Sequence, residues 1–115
     1  MLARDVIVIG ASAGGVEALK TLTPKLPSDL PAAVFVVMHM TAQIPSRLPW
    51  ILQRSAAMKV IAAEDQAPIE PGCMYVAVPG LHLSLEDGRM RLSAGPHENL
   101  HRPSIDVLFR TAATA

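Results

Sequence analysis

The 115-residue sequence is short of the residue types that mark several common protein classes. It has one cysteine, Cys73, so one chain can form no disulfide framework and no cysteine-rich zinc site; a reducing cytoplasm is the expected setting. Aromatic residues make up 3% of the chain, and 10 Lys and Arg balance 10 Asp and Glu to a formal net charge of zero. No basic patch stands out, and nucleic acid is not an expected partner. The N-terminal apolar run, Val6 to Ile9, is far shorter than a signal-peptide core, and no stretch approaches the ~20 residues of a membrane span. No membrane insertion is expected. There is no internal repeat and no low-complexity segment. Half the residues are hydrophobic, enough for the core of about one small domain. A chain of this size buries roughly 65% of its unfolded surface.

The most informative segment is residues 6–15, VIVIGASAGG. Four β-branched residues read as a strand covered on both faces, and they run into a glycine-rich turn with Ser12 at its centre. The spacing Gly10-x-Ser12-x-Gly14 is that of a nucleophile elbow, in which a sharp strand-to-helix turn exposes the hydroxyl above the carboxyl end of a sheet. The backbone N–H groups that follow open a helix, lack internal partners and can donate to an oxyanion. Three other roles fit the same serine: tight packing, a helix cap, or part of a phosphate cradle. Against a nucleotide, the segment does not match G-x-G-x-x-G and no Lys follows the glycines.

After the turn, Val16, Leu19, Leu22 and Leu26 recur at helical spacing, with Pro24 ending the helix near Thr23. Residues 24–32 read as a loop and Val34 to Met38 as a second buried strand, with His39 at its carboxyl end. Residues 45–55 read as a helix interrupted or started late by Pro49, residues 58–64 as a third apolar run, and residues 65–72 as a turn-rich connection. From Cys73 to Ser93 three short runs, divided by Pro79-Gly80 and Asp87-Gly88, suggest an antiparallel appendage or edge with a hairpin over its second half. Residues 102–115 read as an apolar helix carrying Ile105, Leu108 and Phe109 on one face. The alternation of strands and helices predicts a doubly wound α/β fold, with a mainly parallel sheet, helices on both faces and an antiparallel hairpin. A doubly wound fold would continue from that last helix into another strand, so the domain reads as C-terminally incomplete.

His39 is the natural partner for Ser12. Neighbouring parallel strands bring their carboxyl ends to one edge, where open α/β sheets hold their sites. There His39 could take the Ser12 proton as general base. His82, between Leu81 and Leu83, could line the same cleft, but a half-exposed strand position is the better reading of it. His97 and His101 flank Glu98 in a loop-like segment, a poor setting for a metal. Arg102 could meet an acidic substrate or only solvent. Asp106 falls in the first turns of a helix, where the dipole alone favours an acid. Cys73 has no activating neighbour in sequence and reads as structural.

IGASAGG, VVMHM, PGCMYVAVPGLHLSL and HRPSIDVLFRTAA occur in that order, and together they resemble the catalytic domain of the CheB family, bacterial chemotaxis protein-glutamate methylesterases. The likeness runs from about Val6 to Ala113. It implies a cytoplasmic serine hydrolase that removes glutamate methyl esters from the cytoplasmic domains of chemoreceptors, releasing methanol, and that also deamidates glutamines. It implies Ser12 as nucleophile, His39 as base and the Ala13 backbone N–H as oxyanion donor, with no cofactor and no metal.

Two departures from the family pattern bear on activity. The family's catalytic aspartate lies in a segment of the form G-M-G-x-D-G, which these 115 residues do not contain; Asp106 belongs to the RPS-x-DVLF motif instead. The oxyanion-site methionine beside that aspartate is absent with it. Further, the catalytic motifs begin within the first residues given, and no receiver domain is expected ahead of them. The chain is thus expected to be the N-terminal two-thirds of a methylesterase domain, nearly inactive alone. The competing reading is a non-catalytic, partner-binding module derived from such a domain. An apolar helix face and an open sheet edge would favour self-association.

Overall fold

The computed structural model describes residues 6–12, 15–39, 47–78 and 81–93, without the side chains of 11, 12 and 39. In chain order these form β1 (Val6–Ser12), α1 (Gly15–Leu22), a 3-10 turn (Thr23–Lys25), β2 (Ala33–His39), α2 (Leu48–Gln53), β3 (Lys59–Ala62), β4 (Cys73–Val76), β5 (His82–Glu86) and β6 (Arg89–Ser93). The helix expected over 102–115 lies outside the described residues, and so do His97, His101, Arg102 and Asp106.

Strands β1 to β4 form one parallel sheet in the order β1-β2-β4-β3. The two middle strands carry the most continuous burial. Ala33 through Met38 are all buried, as are all four residues of β4. β1 lies at one end of the described sheet and is less covered than its sequence suggests; Ile7 is 41% exposed.

The sheet separates two apolar layers, because successive strand residues face opposite sides. Val34, Val36, Met38, Met74 and Val76 pack with Leu19 of α1 and with Leu48 and Leu52 of α2. Ala33, Phe35, Val37, Cys73 and Tyr75 pack with Leu83, Leu85 and Met90 of the hairpin. Phe35 and Tyr75 are register partners, and their rings stack at 5.2 Å with an interplanar angle of 25°. Among the described residues, then, helices cover one face and the β5–β6 hairpin covers the other.

The connections obey a single hand. From β1 to β2 and from β2 to β3 the chain advances across the sheet over the helical face. From β3 it steps back to β4, and Ala67 and Ile69 of that connection pack on the hairpin face. Reversing both direction and face preserves the handedness that parallel crossovers share. The return connection also holds the hairpin in place. Gln66 N–H donates to the Met90 carbonyl at 2.8 Å, Met90 N–H to the Ala67 carbonyl at 2.9 Å, and Leu92 N–H to an Asp65 carboxylate oxygen at 2.8 Å.

Three expectations are revised in detail. Cys73–Val76 is a central parallel strand and not part of an antiparallel meander. Its unbroken burial is the mark of a strand covered on both faces, unlike β6, where exposed residues alternate with more buried ones. The hairpin is the expected antiparallel appendage, a two-stranded sheet of its own, and it lies over one face of the parallel sheet rather than along its edge. Its turn is the expected one: Asp87 and Gly88 both take positive φ, at 52° and 73°, as a two-residue hairpin loop requires. At the end of α1 the core position expected of Leu22 is taken by Thr23, the first residue of the 3-10 turn, which is fully buried while Leu22 is 39% exposed. The periodicity 16, 19, 23, 26 follows the helix better than one through 22, and the Thr23 hydroxyl is satisfied by donating to the Leu19 carbonyl at 2.6 Å.

Candidate active site

Strand β1 does not stop at the glycine. It stays paired with β2 through seven consecutive positions, and the last pair is Ser12 with His39. Ser12 is therefore the final strand residue rather than the middle of a turn. Both residues end neighbouring parallel strands, at the carboxyl edge of the sheet. Neighbouring strands lie about 4.8 Å apart. The sequence separates these two residues by 27 positions, and the β1–α1–β2 crossover closes that gap.

Helix α1 opens at Gly15, three residues beyond Ser12, so its first N–H groups have no partner within the helix and open at the same edge. Glu17 in the first turn favours the dipole, and Leu19 anchors the helix to the sheet. Ala13, expected to supply an oxyanion donor, lies outside the described residues.

His82 belongs to the same end of the molecule. Ala77 N–H donates to the Val36 carbonyl at 2.9 Å, carrying the chain past β4 beside β2, and Leu81 N–H then closes a turn on the Val78 carbonyl at 3.4 Å. β5 begins there with His82, which is 4% exposed. The half-exposed position expected for it is thus corrected. Its place at the junction of sheet and hairpin, rather than in mid-strand, removes it from solvent.

Cys73 sits at the start of β4, hence at the amino edge, and is buried. Next to it on the same face, burial pushes the Tyr75 phenol up to about 12; the hydrogen bond from Glu70 N–H at 3.0 Å opposes the rise and Cys73 adds to it. Both residues serve the core. Among the described residues no three His, Cys, Asp or Glu side chains lie close enough to hold a metal. No helix among them is long and apolar enough to cross a membrane.

One cluster is not apparent from the sequence. Arg47 and Arg54 flank the Trp50 ring, their guanidinium carbons 5.8 and 5.1 Å from its centroid. No basic patch was expected, because the two arginines are seven residues apart in sequence. The signal was the R-x-x-W-x-x-x-R spacing, which puts all three on one helical stripe.

The CheB methylesterase family model matches residues 7–115. The chain belongs to the CheB methylesterase family. A putative protein-glutamate methylesterase/protein-glutamine glutaminase of Leptospira interrogans is 41% identical over 110 residues, covering 95% of this chain and 57% of its own length. A protein-glutamate methylesterase/protein-glutamine glutaminase of Caldanaerobacter subterraneus is 44% identical over 112 residues, or 92% of this chain and 30% of that protein. The crystal structure of the Thermotoga maritima CheB methylesterase catalytic domain superposes with a TM-score of 0.91 at 31% identity, covering 98% of this chain and 62% of that one. The chain therefore spans less than two-thirds of each of these CheB relatives, and the α/β fold with its parallel sheet and hairpin is common to it and the solved domain.

Proposed function

We propose that this chain carries the nucleophile and the base of a protein-glutamate methylesterase, Ser12 and His39, acting on methylated cytoplasmic domains of chemoreceptors in the cytoplasm. The observation that carries the reading is the Ser12–His39 register at the carboxyl edge of the parallel sheet. The family match and the names of the relatives supply the substrate class.

The mechanism follows from the two residue types. Residues at neighbouring strand ends are close enough for a Ser Oγ to hydrogen-bond an imidazole nitrogen. His39 takes the Ser12 proton as Oγ attacks the ester carbonyl, and the oxyanion is met by the backbone N–H of Ala13, the residue after the nucleophile, and by N–H groups at the start of α1. Collapse of the tetrahedral intermediate breaks the ester C–O bond. His39 returns the proton to the leaving methoxide, and methanol departs from an acyl-enzyme. Water, deprotonated by His39, then attacks the acyl carbon; the C–Oγ bond breaks, His39 returns the proton to Ser12 Oγ, and a glutamate carboxylate leaves. With a glutamine side chain the same steps release ammonia. No metal or cofactor enters.

The histidine tautomer needs an orienting carboxylate, and within these 115 residues no segment matches G-M-G-x-D-G. Loss of the equivalent aspartate lowers turnover about ten-thousandfold in serine proteases. The 115-residue chain is expected to be slower than aspartate-bearing relatives by a comparable factor. The test is methanol release from a receptor fragment carrying glutamate methyl esters. Slow release that disappears in Ser12→Ala supports the reading. Release unchanged in Ser12→Ala contradicts it, and no release above background from the parent chain favours the non-catalytic module.

A further inference from the structure

Helix α2 buries Leu48 and Leu52 against the sheet and turns its other side outward. On that side Trp50, the single tryptophan of the chain, is 58% exposed. A buried indole would need no explanation; an exposed one, gripped from both ends of its helix by Arg47 and Arg54, leaves a large apolar surface in water beside two forked cations. Next to it a shallow depression of about 370 Å³ is lined by Lys20 of α1 and by Ile51, Arg54 and Ser55. That volume falls in the lower range of ligand clefts, ~300–1,000 Å³. Glu17, already paired with Lys20 at 3.4 Å, is the carboxylate bonded to this patch among the described residues.

Charge is unevenly divided between the two sides of the sheet. On the hairpin and the β3–β4 connection that straps it, Glu64, Asp65, Glu70, Glu86 and Asp87 outnumber Arg89 and Arg91, whereas on α1, α2 and the α2 caps Lys20, Arg47 and Arg54 outnumber Glu17. A molecule of zero formal net charge thus presents a local positive surface.

We propose that the Arg47–Trp50–Arg54 stripe and the adjoining depression form a docking surface for a short acidic polypeptide segment. Each guanidinium offers a planar fork that matches a carboxylate, and Lys20 adds a third cation. The indole face and Ile51 at the depression take an apolar side chain from between the acidic ones. Tryptophan and arginine together, around a desolvated pocket, are the residues that concentrate binding energy in protein interfaces. A nucleic acid fits less well. α2 is six residues long, about 9 Å, and carries one aromatic side chain, whereas single strands need an extended cationic groove with several stacking platforms.

The test is a binding titration and involves no ester, so its outcome is independent of the roles of Ser12 and His39. A fourteen-residue peptide alternating glutamates with two central leucines is titrated into the 115-residue chain, with affinity read by calorimetry and Trp50 emission monitored in parallel. A lysine-for-glutamate version of the peptide and an oligodeoxythymidylate serve as the other arms. The proposal expects saturable binding of the acidic peptide with a shift in Trp50 emission, and no binding of the lysine peptide. Affinity should fall about tenfold or more in R47E/R54E, whose substituted side chains are exposed and leave the core untouched. Trp50→Ala should weaken binding at high salt as well as low, separating the apolar contact from the charges. The proposal is overturned by absence of saturable binding, by equal affinity in R47E/R54E, or by tighter binding of the oligodeoxythymidylate, which would assign the patch to nucleic acid.

Discussion

Among the described residues Gly72 should be the most sensitive glycine outside the candidate site, and the structure gives the size of the effect. It takes φ +78°, and a Cβ built on it would lie 2.9 Å from the Ser28 carbonyl oxygen. Its N–H also donates to the Ala32 carbonyl at 2.9 Å, tying the start of β4 to the segment that enters β2. In Gly72→Ala the left-handed conformation costs about 1 kcal/mol for a residue with a side chain. The contact is with backbone, which no rotamer change relieves. Moving the 28–32 segment or the start of β4 costs about 1–2 kcal/mol, as for other forced overpacking. Reduced freedom of the unfolded chain returns roughly 0.4–1 kcal/mol. The net loss is about 2 kcal/mol, which for a domain of this length lowers Tm by roughly 8 °C. Urea unfolding followed by circular dichroism measures it directly. Gly72→Asn tolerates the positive φ but carries the same Cβ, so it should recover only the conformational share, about 1 kcal/mol. A Gly72→Ala chain within about 0.5 kcal/mol of the parent, the range of an inert surface change, would refute the reasoning.

Two further predictions concern the core. Tyr75 is the single tyrosine of the chain, so ultraviolet absorbance titrates it alone; its midpoint should lie near 12 in the folded protein against about 10 after unfolding. A phenol that stays neutral longer when folded adds nothing to the pH dependence below 10, and stability should fall as pH rises from 10 towards 12; Tyr75→Phe should flatten that fall. Thr23→Val keeps the buried shape but removes the 2.6 Å hydrogen bond to the Leu19 carbonyl, and it should cost about 1 kcal/mol in urea unfolding, whereas Leu22→Ala, on an exposed side chain, should cost less.

Much of this architecture was legible in the sequence. VIVIG and VFVVM read as strands because their apolar runs are unbroken, and the chain between them is long enough for a helical crossover. Asp87-Gly88 named the hairpin turn because few other pairs accept two positive φ angles. The adjacency of Ser12 and His39 followed from the rule that parallel strands share a carboxyl edge. What the sequence concealed was long-range. CMYV is as apolar as β2, but Pro-Gly punctuation on both sides made it look like the first arm of a meander. Its neighbours are chosen by tertiary packing between β2 and β3. Thr23 escaped notice because a polar residue reads as exposed until its local hydrogen bond is seen. The Arg–Trp–Arg stripe escaped because a patch is a property of a helix face and not of a run of residues.

The most direct measurement of the central claim is intact-mass and peptide mass spectrometry after treatment with a fluorophosphonate, which acylation-competent serines attack. The account predicts a single adduct, located on Ser12, absent in Ser12→Ala and formed much more slowly in His39→Ala. An adduct on another residue, or labelling of Ser12 at an unchanged rate in His39→Ala, would contradict it.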